Sequence, residues 1–299
     1  MSRSSAIGLM CLAVLCFSIL DSSAKYLGEI AGLPIEQVLG IRFLTHFLFL
    51  FLLYRPSRFI DGLKTHSLKS QALRSITMVS ATAFNFLALI YLQLDQTITI
   101  FFLSPLLVAA FAGPILGEWL APKQFIAVLL GFLGVVIVMR PGLGGIHPAV
   151  ILSLLSTLAV SLYNVLTRYT SRFDSNLTNQ IYAPLGGVLV FAPLALLYWQ
   201  TPESAFVWFL LLSLGISGGL GHWFLITAHR HAPAPLLAPF IYTGIISMPI
   251  IGYFVFGDKP SLYTLAGALC VIGSGLYLWQ QERAEGDKKD DHHEAPTQP

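Results

Sequence analysis

Charge is what this sequence has least of. Only 11% of its 299 residues are Asp, Glu, Lys or Arg, less than half of the roughly 25% that a water-soluble domain carries. So few charges cannot cover the water-facing surface of a soluble protein of this length. That excludes a soluble enzyme, a nucleic-acid binder and a disordered chain. Cysteine is scarce as well. Cys11, Cys16 and Cys270 are an odd number and all lie in apolar runs, so they read as small hydrophobes and not as a disulfide framework. No Gly-x4-Gly-Lys-Ser/Thr loop is present, so nothing indicates direct use of ATP. No cofactor and no metal are expected: His292 and His293 fall in a polar tail and read as solvated.

What the chain has in excess is apolar length. It is 55% hydrophobic, with a mean hydropathy of +0.72. A helix crossing ~30 Å of hydrocarbon needs about 20 apolar residues, and ten such runs are found, at about 6–27, 35–54, 70–92, 97–117, 122–140, 148–168, 178–199, 205–228, 235–256 and 262–280. The separators are short and polar or carry Pro and Gly, as at 28–34, 140–147, 200–203 and 257–260, so no soluble domain is inserted. The runs are continuous, not alternating, and about twice the ~10 residues of a barrel strand. The expected fold is an all-α polytopic membrane protein with ten transmembrane helices. Arg3 before the first run resembles a signal peptide, but the run is long and ends in Asp21 and Lys25, so it is expected to stay as a span.

Basic residues set the expected orientation. With ten spans both ends lie on one side, which would hold 13 of the 17 Lys and Arg, from Arg3 through Arg55, Arg58, Lys64, Lys69 and Arg74 to the tail; the other side holds Arg140 and Lys259. Both termini are therefore expected to be cytoplasmic, in a cell inner membrane. Residues 282–299 are rich in charge and end in Pro, and read as a disordered cytoplasmic tail.

The chain also repeats itself. Ser18-x-x-Asp21-x-x-x-Lys25-Tyr26 matches Ser161-x-x-Asn164-x-x-x-Arg168-Tyr169 at a displacement of 143 residues. Gly117-Glu118 matches Gly257-Asp258, and Ala88 matches Ala228, at 140. Five spans per unit is odd, so the second unit enters the membrane from the opposite side. The expectation is two inverted five-helix repeats, 1–143 and 144–281. This architecture lets secondary transporters build two access states from one fold.

Leu103-Ser104-Pro105, Gly117-Glu118-Trp119-Leu120-Ala121-Pro122, and Gly134 through Arg140-Pro141-Gly142 carry a family resemblance, together with Arg42-Phe43 and Tyr163 to Arg168. They resemble the EamA-type module of the drug/metabolite transporter superfamily over about residues 6–280. The second half departs from the pattern, with Asp258 in place of the glutamate and no Arg-Pro-Gly after the last span. The resemblance implies ten helices, a central substrate cavity and export of small metabolites, often amino acids. Within the superfamily the chain is similar to the aromatic amino-acid exporters.

Polar residues inside the spans are the candidates for substrate contact, because each ionisable group there costs at least ~2.5–3.5 kcal/mol. Asp21 and Lys25 share a helix face, and Arg42 lies at similar depth; they either clamp helices as an ion pair or attract a substrate carboxylate. Asn85, Tyr163, Asn164, His222, Trp223 and Tyr242 complete the candidate binding set, with interhelical hydrogen bonding as the competing role. Pro105, Gly113, Pro114, Pro239, Gly244 and Pro249 are candidate hinges, against static kinks. Glu118 and Asp258, acids at helix C-termini, are each expected to pair with a basic residue or cap the next helix, and are not read as substrate ligands. The functional expectation is a secondary exporter of aromatic or neutral amino acids, working in a lipid bilayer by alternating access. The alternatives are carriage of another metabolite or drug, a channel, or an intramembrane enzyme, for which His222, His229 and His231 are the best available cluster.

Overall fold

The structure is a computed structural model that describes residues 3–92, 97, 100–101, 103–119, 121–139 and 148–257, with single positions 262, 266, 269, 270, 273, 274 and 277. Most of the expected tenth span, the tail 282–299, and Gln93, Arg140, Asp258 and Lys259 lie outside the described residues. Among the described residues every regular element is helical. They are α1 (Arg3–Lys25), α2 (Ile35–Leu53), α3 (Pro56–Gly62), α4 (Leu68–Tyr91), α5 (Ser104–Leu116), α6 (Pro122–Met139), α7 (Val150–Thr170), α8 (Asn176–Leu197), α9 (Ala205–His231), α10 (Ala234–Leu237) and α11 (Gly244–Ile251).

Local chemistry sets the ends. Ser67, Ser175 and Ser204 each take an N-cap position, their hydroxyls accepting from the amides of Ser70, Thr178 and Val207. α5 stops at Gly117, whose φ of 71° lets the chain fold back on Ala112 and Gly113 carbonyls. α1 continues as a π-turn over Tyr26–Ile30, making an apolar rod of 28 residues. Six helices are long and apolar enough to cross a membrane: that rod, α2, α4, α7, α8 and α9. Their outward faces carry Leu52, Leu196, Leu197 and other large exposed apolar side chains. Such a surface is stable against lipid, not water, so the chain is a multi-pass membrane protein.

The expected ninth span is not one α-helix. It runs as α10, a 3-10 stretch Ala238–Thr243, α11, and a π-turn Gly252–Phe256. Pro239 lies in the 3-10 stretch and Pro249 inside α11; each lacks the N–H that a regular turn needs, and the ladder changes pitch around them. Pro105 sits instead in the first turn of α5, where no hydrogen bond is lost, while Pro114 is interior. Gly113 accommodates the Trp119 ring, which a side chain there would strike, and Gly244 opens α11.

The packing brings chain-distant helices together. α1 lies against α9 and against the Ala238–Ile251 segment; α7 lies against α4 and α5. α2 packs on α8 and α9, and α8 also packs on α4. Glycines permit the closest crossings. A Cβ at Gly215 of α9 would strike Thr45 and the His46 backbone, and one at Gly187 of α8 would strike the Phe43 ring.

Candidate functional site

A cavity of about 750 Å³, its open mouth included, lies between α1, α4, α7, α9 and α11. α1 contributes one face, Met10, Val14, Phe17, Ser18 and Asp21, at the three- and four-residue spacing of a helical stripe. Asn85 of α4 and Asn164 of α7 face it as well. Asp21 is the only ionisable side chain among the described lining residues. Asn85 Nδ2 donates to Asp21 Oδ1 at 3.3 Å, which fixes the carboxylate in the wall. Asn164 Oδ1 is buried with no hydrogen-bond partner among the described residues. The remaining lining is chiefly apolar, from Phe101, Leu225 and Ile241 among others.

Behind Phe17 lies a second group, entirely buried. The Phe17 ring meets the His222 ring edge-on at 4.9 Å. His222 of α9 stacks on His46 of α2 at 5.7 Å, with the planes 7° apart. Tyr163 Oη and His222 Nδ1 are 3.1 Å apart, and Arg74 Nη1 donates to the same Oη at 3.1 Å. The Tyr163 hydroxyl thus bridges Arg74 and His222 Nδ1, accepting from the guanidinium. The Tyr163–His222 bond therefore engages Nδ1 and leaves Nε2 as the ring nitrogen without a partner among the described residues.

Arg74 is anchored further by Gln71 Oε1 at 3.1 Å and the Asn179 carbonyl. Gln71 in turn donates to Asp174 at 2.7 Å and Asn179 at 2.8 Å. Asp174 also accepts from the Thr65 hydroxyl and the His66 amide. This network ties the loop before α4 to the α7–α8 turn.

The candidates therefore divide. Asn85 and Asn164 stand in the cavity wall, as does Gly244 of the candidate hinges. Arg42, Tyr163 and His222 belong to the buried group behind it. Arg42 lies 4.6 Å over the Phe43 ring and interacts electrostatically with Asp21, but among the described residues no ion pair joins them. Lys25 pairs with Glu29 at 2.6 Å at the end of α1, away from both groups. Trp223 points outward against Phe224. Tyr242 is buried in the 3-10 stretch and is not in the wall.

Sequence reasoning passed over His46, four residues after Arg42 and hence on the same helix face. It also counted Arg74 as a loop residue, whereas the structure buries it fully within α4. The signal for Arg74 was there: Gln71 and Arg74 are three apart at the start of an apolar run. Glu118 finds its partners as expected, Arg168 Nε and Arg172 Nη2, both at 2.9 Å. It caps not the following helix but α10, accepting from Ala234 N at 3.1 Å.

Known proteins match this arrangement along nearly its whole length. An S-adenosylmethionine uptake transporter of Rickettsia prowazekii (strain Madrid E) is 26% identical over 280 residues, covering 93% of each chain. A riboflavin transporter of Vibrio cholerae serotype O1 is 26% identical over 278 residues, 91% of this chain and 92% of that one. Neither is an aromatic amino-acid exporter, so these relatives do not carry the narrower resemblance drawn from sequence. A crystal structure of a protein 19% identical superimposes with a TM-score of 0.76 over 95% of this chain and 99% of that one, which shows a shared fold. The EamA-like transporter family matches residues 4–140 and matches again over 147–279. With both halves accounted for in this way, the chain belongs to the EamA-like transporter family and is a transporter of small metabolites.

Proposed function

We propose that this chain is a secondary transporter for a small organic cation with an aromatic or apolar body, of the S-adenosylmethionine type. The observation that carries this is Asp21, one carboxylate fixed by Asn85 in an otherwise neutral and mostly apolar wall. A sulfonium or ammonium centre gains a charge partner there, and the apolar side chains of the wall suit a ring. A neutral flavin has no use for the charge. The S-adenosylmethionine name of one relative agrees with this cargo and with movement into the cytoplasm. It replaces the amino-acid export expected from sequence.

The mechanism is alternating access between two inverted halves, 1–143 and 144–281, in a cell inner membrane with both termini cytoplasmic. The packing supports the inversion. With α1, α2 and α4 taken as counterparts of α7, α8 and α9, the α1–α9 contact exchanges with α7–α4, and α2–α9 exchanges with α8–α4. Gly117 and Gly257, matched in the repeat, share one left-handed backbone conformation, φ 71° and 73°. The interrupted ninth span and Gly244 in the wall make the Ala238–Phe256 segment the moving element.

The test is flux in proteoliposomes. Labelled S-adenosylmethionine should enter above the rate of empty liposomes, and unlabelled compound should compete. Riboflavin or phenylalanine moving while S-adenosylmethionine stays out would overturn the cargo.

A further inference from the structure

We propose that the buried cluster of Arg42, His46, Gln180 and His222 beside Gly218 is a carboxylate-binding subsite of the transport cavity, reached past Phe17 by a shift of the Leu20 side chain. It deepens the reading above, on which its link to the cargo rests. Four buried side chains from α2, α8 and α9 meet there with hydrogen-bonding atoms unused. Arg42 Nε and Nη1, both His46 ring nitrogens, Gln180 Oε1 and His222 Nε2 have no hydrogen-bond partner among the described residues. Gln180 approaches His46 without closing a hydrogen bond, its amide nitrogen being committed to the Gly219 carbonyl at 3.1 Å.

The placement is specific. A Cβ at Gly218 would lie 3.1 Å from the end of the Leu20 side chain, 3.9 Å from Arg42 Nη2 and 4.0 Å from His46 Nδ1, so the glycine faces the guanidinium and the imidazole together, with only Leu20 between. The chemistry is lopsided toward donors. Arg42 supplies a charge with Nε and Nη1 unused, and His222 keeps Nε2 open because Tyr163 occupies Nδ1. Leaving such donors unmade in a membrane interior costs about 1–3 kcal/mol each, more for the charged one. Asp21 does not close them, since among the described residues no hydrogen bond joins its carboxylate to Arg42 Nε or Nη1. A planar anion with two acceptor oxygens matches a guanidinium flanked by imidazole rings.

The two sites then divide one zwitterion, its cationic centre at Asp21 and its carboxylate at Arg42, with Phe17 between them as the partition.

The test uses the full-length purified protein and two readouts. In the first, melting temperature is followed with sodium formate or sodium chloride at matched ionic strength. Formate should raise it more than chloride, and Gly218→Ala should remove the difference. The new methyl meets only the end of the Leu20 side chain, at 3.1 Å, besides the site itself, so this variant should fold. Arg42→Gln, where it folds, should behave likewise. Chloride matching formate, or a formate effect that survives Gly218→Ala, would overturn the subsite. In the second readout, S-adenosylmethionine should bind at least about tenfold more tightly than its decarboxylated analogue, the preference vanishing in Gly218→Ala. Equal binding of the two by the wild type would also overturn it. If neither sulfonium binds while the formate effect holds, the cargo reading falls and the subsite stands.

Discussion

Ser18 Oγ and Ser247 Oγ lie 2.6 Å apart, joining α1 to α11. The contact occurs twice in the molecule: Ser161 and Ser104, each 143 residues from its counterpart, meet at 2.9 Å between α7 and α5. The likeness extends one step further, since Ser18 donates to Val14 O and Ser161 to Thr157 O, again at matching places. A contact that returns at one constant displacement is what the proposed exchange of two halves requires, and on that proposal the two serine pairs lie where each half meets the other.

Ser18→Ala and Ser161→Ala should therefore cost similar, small amounts of stability, about 0.6 kcal/mol each, as interhelical hydrogen bonds in membranes do. Thermal unfolding in detergent checks this. A large loss at one serine and none at the other would show that the two contacts are not equivalent.

Glu118 holds three elements at one end of the bundle. It binds Arg168 of α7, Arg172 beyond it and the first amide of α10, while Arg168 also donates to His229 O at the C-terminal end of α9, where a cation is favoured. Glu118→Gln keeps the shape and removes the charge. It should lower stability by about 1–3 kcal/mol, nearly all of it through Arg168, because Arg172 is 41% exposed and screened by solvent. Raising the salt should leave this loss nearly unchanged, since the Arg168–Glu118 pair is mostly buried. Unfolding curves at low and high salt measure both.

Gly215 sits where α9 crosses α2, with the Thr45 hydroxyl and the His46 amide filling the place of a side chain. Gly215→Ala must force two backbones apart, which costs at least about 1–3 kcal/mol and displaces His46 with it. Gly8→Ala, inside α1 at its surface with nothing within 4 Å, should cost nothing and should gain up to about 0.5–1 kcal/mol from the better helix former. Comparing the monodisperse peak and melting temperature of the two variants tests whether close contact, and not glycine as such, is what α9 needs.

The spans of α1, α2, α4, α7, α8 and α9 were legible because lipid demands a long apolar run, and that demand is written one residue at a time. The Ala238–Phe256 segment was not, because hydropathy is blind to pitch; Pro239 and Pro249 flagged it without saying that 3-10 and π turns would result. In the site, Asn85 and Asn164 stood out as lone amides in apolar surroundings. Lys25 stood out for the same reason, yet pairs locally with Glu29 across the end of its helix. The Arg42–His46–His222–Tyr163–Arg74 group joins four helices. Only tertiary packing brings such residues together, so one sequence can offer its members but not their meeting.

Asp21→Asn tests the cavity more sharply than any of these. The amide has the same shape, and Asn85 can turn to remain its hydrogen-bond partner, so folding should be preserved and only the charge lost. A permanent sulfonium cannot compensate by changing its protonation. Its binding should weaken at least tenfold, about 1.4 kcal/mol, at every pH where the wild type is active. A neutral competitor that fills only the apolar wall should be unaffected, because it meets Phe101, Leu225 and Ile241 in both proteins. Equilibrium binding of labelled S-adenosylmethionine to wild type and variant, with adenosine as the neutral comparison, reads the difference directly. Equal weakening of both ligands would mean that Asp21 shapes the cavity and does not hold a charge in it.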